Sequence, residues 1–520
     1  MIRAQKVKRR SLLKALAAAS VSPVYARAAR TESADTMTPD HSTTPAENAP
    51  PADPVERIAG FVELVREHWR VPGVAVAVIH RGRPFMAAGF GVKNLTRPDP
   101  VDAHTAFNIG SCSKAYTACA AAILVDESRI GWDDPVKPLM PELELYDPDV
   151  TRRVTLRDLL SHRVGLSRAC IAEGDSDLSR AEVLARAADA PKKAEFRQKF
   201  CYSNLGYIIA AELIGRVAQQ PFEHFVEARV LRPLGMDDST AEAKGWLALG
   251  NVADPHGYWD YRQRPVPPLD HGNLMGAGFL YTSANDALAW LQLQLGRSRI
   301  VSERSLREMH TAQVTDPETY GLGWGVGLAN GRNYLGHSGE TRGFSARARI
   351  EPARDYASLV ATNSQGHAAE AISGMINQTL NALPARDELD FYDTGWARRV
   401  SESAARAEAD RKSDPFDSAS APSLAAFAGT YRNRGFGTLS VREAGGALRL
   451  AIKDMPIYDG WLVRYAGKGF AYEIDGFRAT KGPRPIQSLD PRIYFHEKEG
   501  TVAGFEARDM LFGPTIFQRT

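Results

Sequence analysis

Apolar side chains at Val55, Ile58, Val62, Val65 and Trp69 recur with the period of an amphipathic helix. The pattern then changes. Residues 74–79 and 85–89 are short apolar runs on either side of His80-Arg81-Gly82-Arg83, which predicts a β-hairpin. Helical segments are expected over 115–125, 155–161, 205–217 and 284–295. Paired strands at 345–350 and 357–362 come next, then a last helix over 368–380. Strands at both ends with helices between them predict one mixed α/β unit whose two ends share a sheet.

Beyond this unit the pattern differs. Residues 397–422 are Ser, Ala, Glu, Arg and Asp with few apolar side chains, and end in Asp414-Pro415 and Ala421-Pro422, the composition of a partly helical linker. Short strands are then expected at 438–441, 447–452, 470–474, 493–496 and 504–507, separated by Gly, Pro and Asp turns. A spacing of about ten residues predicts an all-β sandwich or barrel.

Composition narrows the class without naming a function. The 520 residues carry 64 Lys+Arg against 62 Asp+Glu, a net charge of +2, so there is no electrostatic footprint for nucleic acid. Hydrophobic residues at 44% and charged residues at 24% are ordinary for a soluble globular protein. Four cysteines, none in a C-x-x-C pair, support neither a disulfide scaffold nor a zinc or redox site. The longest apolar run, 115–125, is too short for an integral membrane span.

The charge is unevenly placed. Arg3, Lys6, Lys8, Arg9, Arg10, Lys14, Arg27 and Arg30 precede the first acid, Glu32. A weakly apolar stretch over 12–24 and an Ala26-Arg27-Ala28 cleavage site complete the order of a secretory signal over 1–28. Lys8-Arg9-Arg10-Ser11-Leu12-Leu13-Lys14 resembles a twin-arginine export motif, which implies a periplasmic or secreted protein. Residues 29–53 read as a flexible lead-in. Cleavage after Ala28 takes seven basic residues from the 64 and leaves 57 against 62 acids, a mildly acidic mature chain.

No G-x-S-x-G elbow, H-E-x-x-H helix, P-loop or H-x-H pair occurs, so neither a metal nor an organic cofactor is expected. S-x-x-K occurs twice, once inside the signal. The other, Ser111-Cys112-Ser113-Lys114, opens the helix over 115–125. Residues three apart on a helix share a face, which sets Lys114 beside Ser111. An adjacent amine can take the proton of a serine nucleophile if its surroundings lower its pKa, and a helix N-terminus offers amides to an oxyanion. On four letters alone, a capping serine followed by a solvated lysine is the stronger reading.

The surroundings reverse that. The stretch Phe107 to Ala118, FNIGSCSKAYTA, resembles the active-site segment of the serine β-lactamase and penicillin-binding-protein superfamily. Tyr202-Ser203-Asn204 matches its Y-x-N element, and His337-Ser338-Gly339 the H-x-G variant of its third element. Leu159-Leu160-Ser161-His162 with Gly165-Leu166, Gly276-Ala277-Gly278 with Ser283-Ala284-Asn285-Asp286, and Gly336-His337 continuing to Gly343-Phe344 resemble its supporting segments, all in the family's order. Singly, Asn204 reads equally as a helix cap, Tyr202 as core and His337-Ser338-Gly339 as a turn; jointly they carry the resemblance over about residues 54–385.

The resemblance implies an α/β (α+β) fold, β-lactamase-like, with an antiparallel sheet flanked by helices and an all-helical subdomain, over 54–396. It makes Ser111 the nucleophile forming an acyl-enzyme, with Lys114 and Tyr202 sharing the general-base work. His337 would orient Tyr202 or donate to substrate, and Asn204 would bind Lys114 or a substrate amide. The backbone amides of Ser111 and Glu340 would form the oxyanion hole, with Gly339 and Arg342 lining the substrate site. Phe427-Ala428-Gly429-Thr430-Tyr431 and Gly435-Phe436-Gly437-Thr438-Leu439 resemble the opening of the lipocalin-like β domain attached to many superfamily members. A smaller all-β barrel is therefore expected over 423–520, either shaping the cleft or acting as a spacer or homodimer contact.

Three departures bear on substrate. His337 replaces the lysine of true β-lactamases, and family members with H-x-G are more often D-amino-acid peptidases or amidases. Glu340 stands where penicillin-recognising relatives carry Thr or Ser, and would repel a substrate carboxylate unless Arg342 neutralises it. Cys112 reads as a small buried hydrophobe, too far from Cys119 for a disulfide, while a Cys170–Cys201 pair stays open. The expected function is an exported serine hydrolase of D-amino-acid peptides or amides. Small carboxylic esters rank next and β-lactams third; a non-catalytic sensor of cell-wall peptides is the alternative from another class.

Overall fold

The computed structural model describes residues 53–520 apart from 168–173, 175, 260–261, 271, 330, 416–421, 457–458, 475–491 and 510–512. The expected signal, the lead-in before Asp53 and Cys170 lie outside the described residues.

Asp53 and Pro54 start the first helix. The Asp53 carboxylate accepts from the Val55 amide at 3.1 Å, Pro54 presets φ, and α1 (Pro54–Trp69) stops where Arg70 turns left-handed. Its buried Ile58, Val62 and Val65 are the face marked by the apolar period. The expected hairpin is β1 (Gly73–His80) and β2 (Arg83–Gly91), turned through Arg81 and Gly82 at positive φ. β1 is buried on both faces because it is interior to the sheet: Val76 pairs with Ala88 on one side and Val360 on the other.

Between the two ends of the sheet the chain is mainly helical. α2 (Lys114–Asp126) is buried from Lys114 to Leu124, as expected of a central helix with no polar face. α3 (Asn204–Ala218) and α4 (Ala284–Gln294) pack around it, with Trp290 of α4 stacked on Tyr116 of α2 at 3.6 Å between ring centroids. The sheet is completed by β3 (Gly325–Ala329), β4 (Arg332–Thr341), β5 (Phe344–Glu351) and β6 (Tyr356–Thr362) in the antiparallel order β2-β1-β6-β5-β4-β3. Val74, Val76 and Val78 pack on α1 and on Ile372 and Ile376 of α5 (Ala368–Leu380), while Ala75, Ala77 and Ile79 face the helical side.

His337-Ser338-Gly339, which by itself reads equally as a turn, lies in the middle of β4, and past Gly336 that strand is the edge of the sheet, because β3 pairs only as far as Gly336. The partly helical linker expected at 397–422 takes in the second part of one regular helix, α6 (Glu388–Ser413), which starts before it. α6 is tied at its end to the C-terminal strands: the Asp414 carboxylate accepts from the Lys468 amide at 2.6 Å and from Tyr494 Oη at 2.8 Å.

The C-terminal part is a closed barrel of eight strands: β7 (Gly429–Asn433), β8 (Gly437–Ala444), β9 (Ala447–Ile452), β10 (Gly460–Arg464), β11 (Gly469–Ile474), β12 (Arg492–Lys498), β13 (Thr501–Asp509) and β14 (Gly513–Arg519). Its first and last strands pair at Tyr431 and Arg519. An eight-stranded barrel has room inside for side chains or for one small ligand. Fully buried Phe427, Tyr431, Phe470, Phe495, Phe505 and Phe517 occupy this one.

Candidate active site

Ser111 is set by a backbone contact between two distant segments. A two-residue strand, Phe107–Asn108, leads into the 3₁₀ turn Gly110–Ser113, from which α2 continues. Asn108 Oδ1 fixes the approach by accepting from the Gly110 amide and from Thr341 Oγ1, each at 2.9 Å. Gly110 sits at φ +50°, and a Cβ there would lie 2.5 Å from the Glu340 nitrogen. A Cβ on Gly339 would lie 1.9 Å from Ile109 O and 3.0 Å from the Ser111 nitrogen. Only glycine at both positions lets β4 and the turn meet backbone to backbone, and this contact brings together the amides of Ser111 and Glu340.

The polar side chains converge from four elements. Ser111 Oγ is 2.7 Å from Tyr202 Oη and accepts from Lys114 Nζ at 3.0 Å. Lys114, 0% exposed, also donates to Asn204 Oδ1 at 2.8 Å and to Ala277 O at 2.9 Å. Three acceptors match the three N–H groups of an ammonium. Asn204 is not a cap: Ser203 precedes the helix, Asn204 is its first residue, and its side chain points at Lys114. Lys114 Nζ lies 4.8 Å from the centre of the Tyr202 ring, a cation–π distance.

His337 stands beside the Tyr202 ring. Its Nδ1 faces Ser338 O at 2.6 Å and its Nε2 faces Tyr320 Oη at 2.9 Å, while its ring lies 6.3 Å from that of Tyr202. It therefore supports the wall behind Tyr202 through packing and Tyr320. Burial pushes the Tyr320 and Tyr207 hydroxyls well above their ordinary range, so both stay protonated. Tyr320 had no motif to mark it, nor had Phe200. With His162 they form an aromatic cluster against Tyr202, the His162 and Tyr202 rings 4.3 Å apart. His162 Nδ1 accepts from the Ser203 amide at 3.2 Å, which anchors the Y-x-N segment.

The remaining candidates separate. Gly339 is required by its contact with Ile109, whatever else it lines. Glu340 is exposed at the strand edge, its carboxylate accepting from Gln365 Nε2 at 3.4 Å. Arg342 lies in the turn between β4 and β5 rather than on the edge. Cys112 donates to His337 O at 3.2 Å, and burial pushes its thiol up to about 12, so it is not a rival nucleophile. Cys112, Cys119 and Cys201 are all free thiols. Chemically, the arrangement offers a serine hydroxyl, a phenol and a buried cation in mutual contact, with the Ser111 and Glu340 amides drawn close by the two glycines, components that suit acyl transfer to a serine.

The profile of the Beta-lactamase family matches residues 61–380, so the chain belongs to that family. Among characterised proteins it is 28% identical to unguisins hydrolase ungD' of Aspergillus campestris over 367 residues, 64% of this chain and 67% of that one. It is 23% identical to protein flp of Staphylococcus aureus over 321 residues, 60% of this chain and 63% of flp. In fold it resembles the octameric penicillin-binding protein homologue from Pyrococcus abyssi, with a TM-score of 0.60 at 22% identity, over 89% of this chain and 99% of that one. D-amino acid amidase from Ochrobactrum anthropi SV3 matches with a TM-score of 0.55 at 20% identity, over 64% of this chain and 99% of the amidase. The family is one of hydrolases, and the penicillin-binding-protein likeness extends to the barrel. Among the described residues no helix is long and apolar enough to cross a membrane.

Proposed function

We propose that the protein is an exported serine hydrolase that cleaves amide bonds of D-amino-acid peptides or amides through an acyl-enzyme on Ser111. The observation that carries this reading is the position of Ser111 Oγ, 2.7 Å from Tyr202 Oη and 3.0 Å from Lys114 Nζ. With the three N–H groups of Lys114 directed at acceptors, Tyr202 as phenolate is the group placed to take the serine proton. Ser111 Oγ bonds to the substrate carbonyl carbon as its proton passes to Tyr202. The oxyanion is held by the Ser111 and Glu340 amides. The C–N bond then breaks and Tyr202 returns the proton to the leaving amine. Water repeats the sequence on the ester, Tyr202 taking its proton and handing it to Ser111 as the acid departs.

An amide substrate is supported by the D-amino acid amidase likeness and by His337 in place of the β-lactamase lysine, and hydrolysis by the unguisins hydrolase relative. The basic start of the chain, with its twin-arginine-like motif, supports export, which fractionation of cells making the full chain tests. The octameric state of the Pyrococcus abyssi protein supports self-association here as well, measurable by light scattering. The decisive experiment compares the parent with Ser111→Ala on D- and L-aminoacyl anilides and nitrophenyl esters. Turnover of D-anilides that disappears in the variant is expected. Turnover that survives in Ser111→Ala overturns the mechanism, and a stable penicillin adduct without turnover would make the protein a sensor.

A further inference from the structure

The acceptor Ala277 O belongs to a turn whose far end is held from the barrel. Asn273 opens it, 4% exposed, with every polar atom of its amide engaged. Its Nδ2 donates to Ser176 Oγ at 2.9 Å, Leu178 O at 2.9 Å and Ser176 O at 3.2 Å, and its Oδ1 accepts from the Gly174 amide at 3.0 Å. The segment it grips lies on the barrel. The Asp177 amide donates to Asp454 O at 2.9 Å, and Leu178 packs on both the hydrolase core and the barrel core. A few residues on, Arg186 pairs with the Asp454 carboxylate at 2.7 Å and reaches Gly435 O at 3.4 Å.

The other end of the turn reaches the amine. The amides of Ala277 and Gly278 donate to Leu274 O at 3.0 and 3.2 Å, making 274–278 compact. Leu274 Cδ2 lies 3.1 Å from where a Cβ on Gly278 would stand, so the turn has no slack on that side. Two donors one helical turn apart on α2 then seize consecutive carbonyls: Thr117 Oγ1 bonds Gly276 O at 2.7 Å and Lys114 Nζ bonds Ala277 O at 2.9 Å. If the turn shifts, Lys114 loses one of its acceptors and its distance to Ser111.

We propose that Asn273 is a positioning residue through which the barrel, by way of segment 176–178 and the Arg186–Asp454 pair, fixes the carbonyl that orients Lys114. The barrel is thereby part of the catalytic apparatus without touching substrate. This deepens the acyl-enzyme reading and rests on it. A buried asparagine that bonds four backbone and side-chain groups on one segment is a clamp. The physical cost of loosening it falls on alignment rather than on binding.

The test uses the full chain with Asn273→Ala, which removes the clamp, and Arg186→Met, which removes the barrel's ion pair but leaves the turn intact. Ser111→Ala run alongside reports on the parent mechanism by itself. Asn273→Ala is expected to lower kcat by about a hundredfold, the scale of a misalignment of about 1 Å, with little change in KM. Its kcat–pH profile should be displaced, and phosphonylation of Ser111 by a fluorophosphonate should slow in step. Arg186→Met should move both readouts in the same direction by a smaller factor. A folded Asn273→Ala protein with parental kcat and pH profile overturns the proposal. If Asn273→Ala does not fold, Arg186→Met decides: a displaced profile upholds the coupling and an unchanged one overturns it. Activity that persists in Ser111→Ala would instead remove the mechanism on which the coupling stands.

Discussion

Lys114 is a residue that the fold would be no worse without. It is 0% exposed, and its ammonium is surrounded by Ser111 Oγ, Asn204 Oδ1 and Ala277 O, all uncharged acceptors. Lys114→Met keeps the length of the side chain and removes the charge. The gain is the desolvation penalty of a buried cation, roughly several kcal/mol. The loss is two orphaned oxygens, Asn204 Oδ1 and Ala277 O, at about 1–3 kcal/mol each. These nearly cancel, so the unfolding free energy should change by no more than about 2 kcal/mol. Acylation, by contrast, should fall by about a thousandfold, because Ser111 loses a hydrogen-bond partner and Tyr202 loses its neighbouring cation. The assay is the pre-steady-state burst of nitrophenol from an activated ester, with urea unfolding measured on the same preparation. A folded Lys114→Met protein whose burst rate stays within about tenfold of the parent refutes the assigned role. A stability loss beyond about 5 kcal/mol refutes the cancellation.

Tyr202→Phe should cut the burst rate by about 10²–10⁴ while leaving the melting temperature unchanged, since the ring that packs 4.3 Å from His162 is retained. Gly339→Ala should lower kcat by about a hundredfold or more, because its Cβ would stand 1.9 Å from Ile109 O and lever β4 away from the Ser111 turn. Calorimetry on that variant should still show a cooperative transition, and a parental kcat would refute the contact. Glu370, in the first turn of α5, has a buried Oε2 without a partner, and burial pushes its carboxyl up to about 7 from an ordinary 4.5. The unfolded chain releases this proton near the ordinary value and the folded chain only near 7, so stability is lost as pH rises through that interval. A span of about 2.5 pH units at about 1.4 kcal/mol each bounds the effect at about 3.5 kcal/mol, and partial exposure reduces it to about 2 kcal/mol. Glu370→Gln should therefore stabilise at pH 8 by about 2 kcal/mol and do little at pH 4. Equal changes at both pH values would show that the carboxyl is not the cause.

How much could be read from the sequence depends on how local each signal is. Ser111, Lys114, Tyr202 and Asn204 stand in short spaced motifs at the start of helices, and the structure brings all four into contact. The hairpin β1–β2 and the pairing of β5 with β6 were legible because the runs of β1 and β6 are buried and those of β2 and β5 are continuous apolar or alternating segments. β4 was not, because RNYLGHSGET mixes glycine and polar residues on a strand whose last part is a free edge. The barrel strands Gly429–Asn433, Gly460–Arg464 and Gly513–Arg519 escaped for a related reason: their short runs carry glycine and arginine. Tyr320 and Asn273 left no trace at all. Each matters through one tertiary contact with a residue far along the chain, and no local pattern encodes that.

The amide preference we propose follows from where charge sits around Ser111. A β-lactam presents a carboxylate near the leaving group, and a lysine on the third motif strand would meet it. Here that position is His337, whose nitrogens face Ser338 O and Tyr320 Oη inside the wall. The next charged group along the strand edge is Glu340, exposed beside the oxyanion amide. Arg342 follows in the hairpin turn, two residues on. A Glu340 carboxylate not neutralised by Arg342 would oppose an anionic substrate group at this edge, and a neutral amide or a cationic amine would meet no such opposition. Lys114 does not alter this balance, since its charge is enclosed by acceptors below Ser111 and directed at Tyr202. On the function we propose, the family scaffold would keep acyl-transfer chemistry while the charge at this strand edge would decide between anionic and neutral substrates.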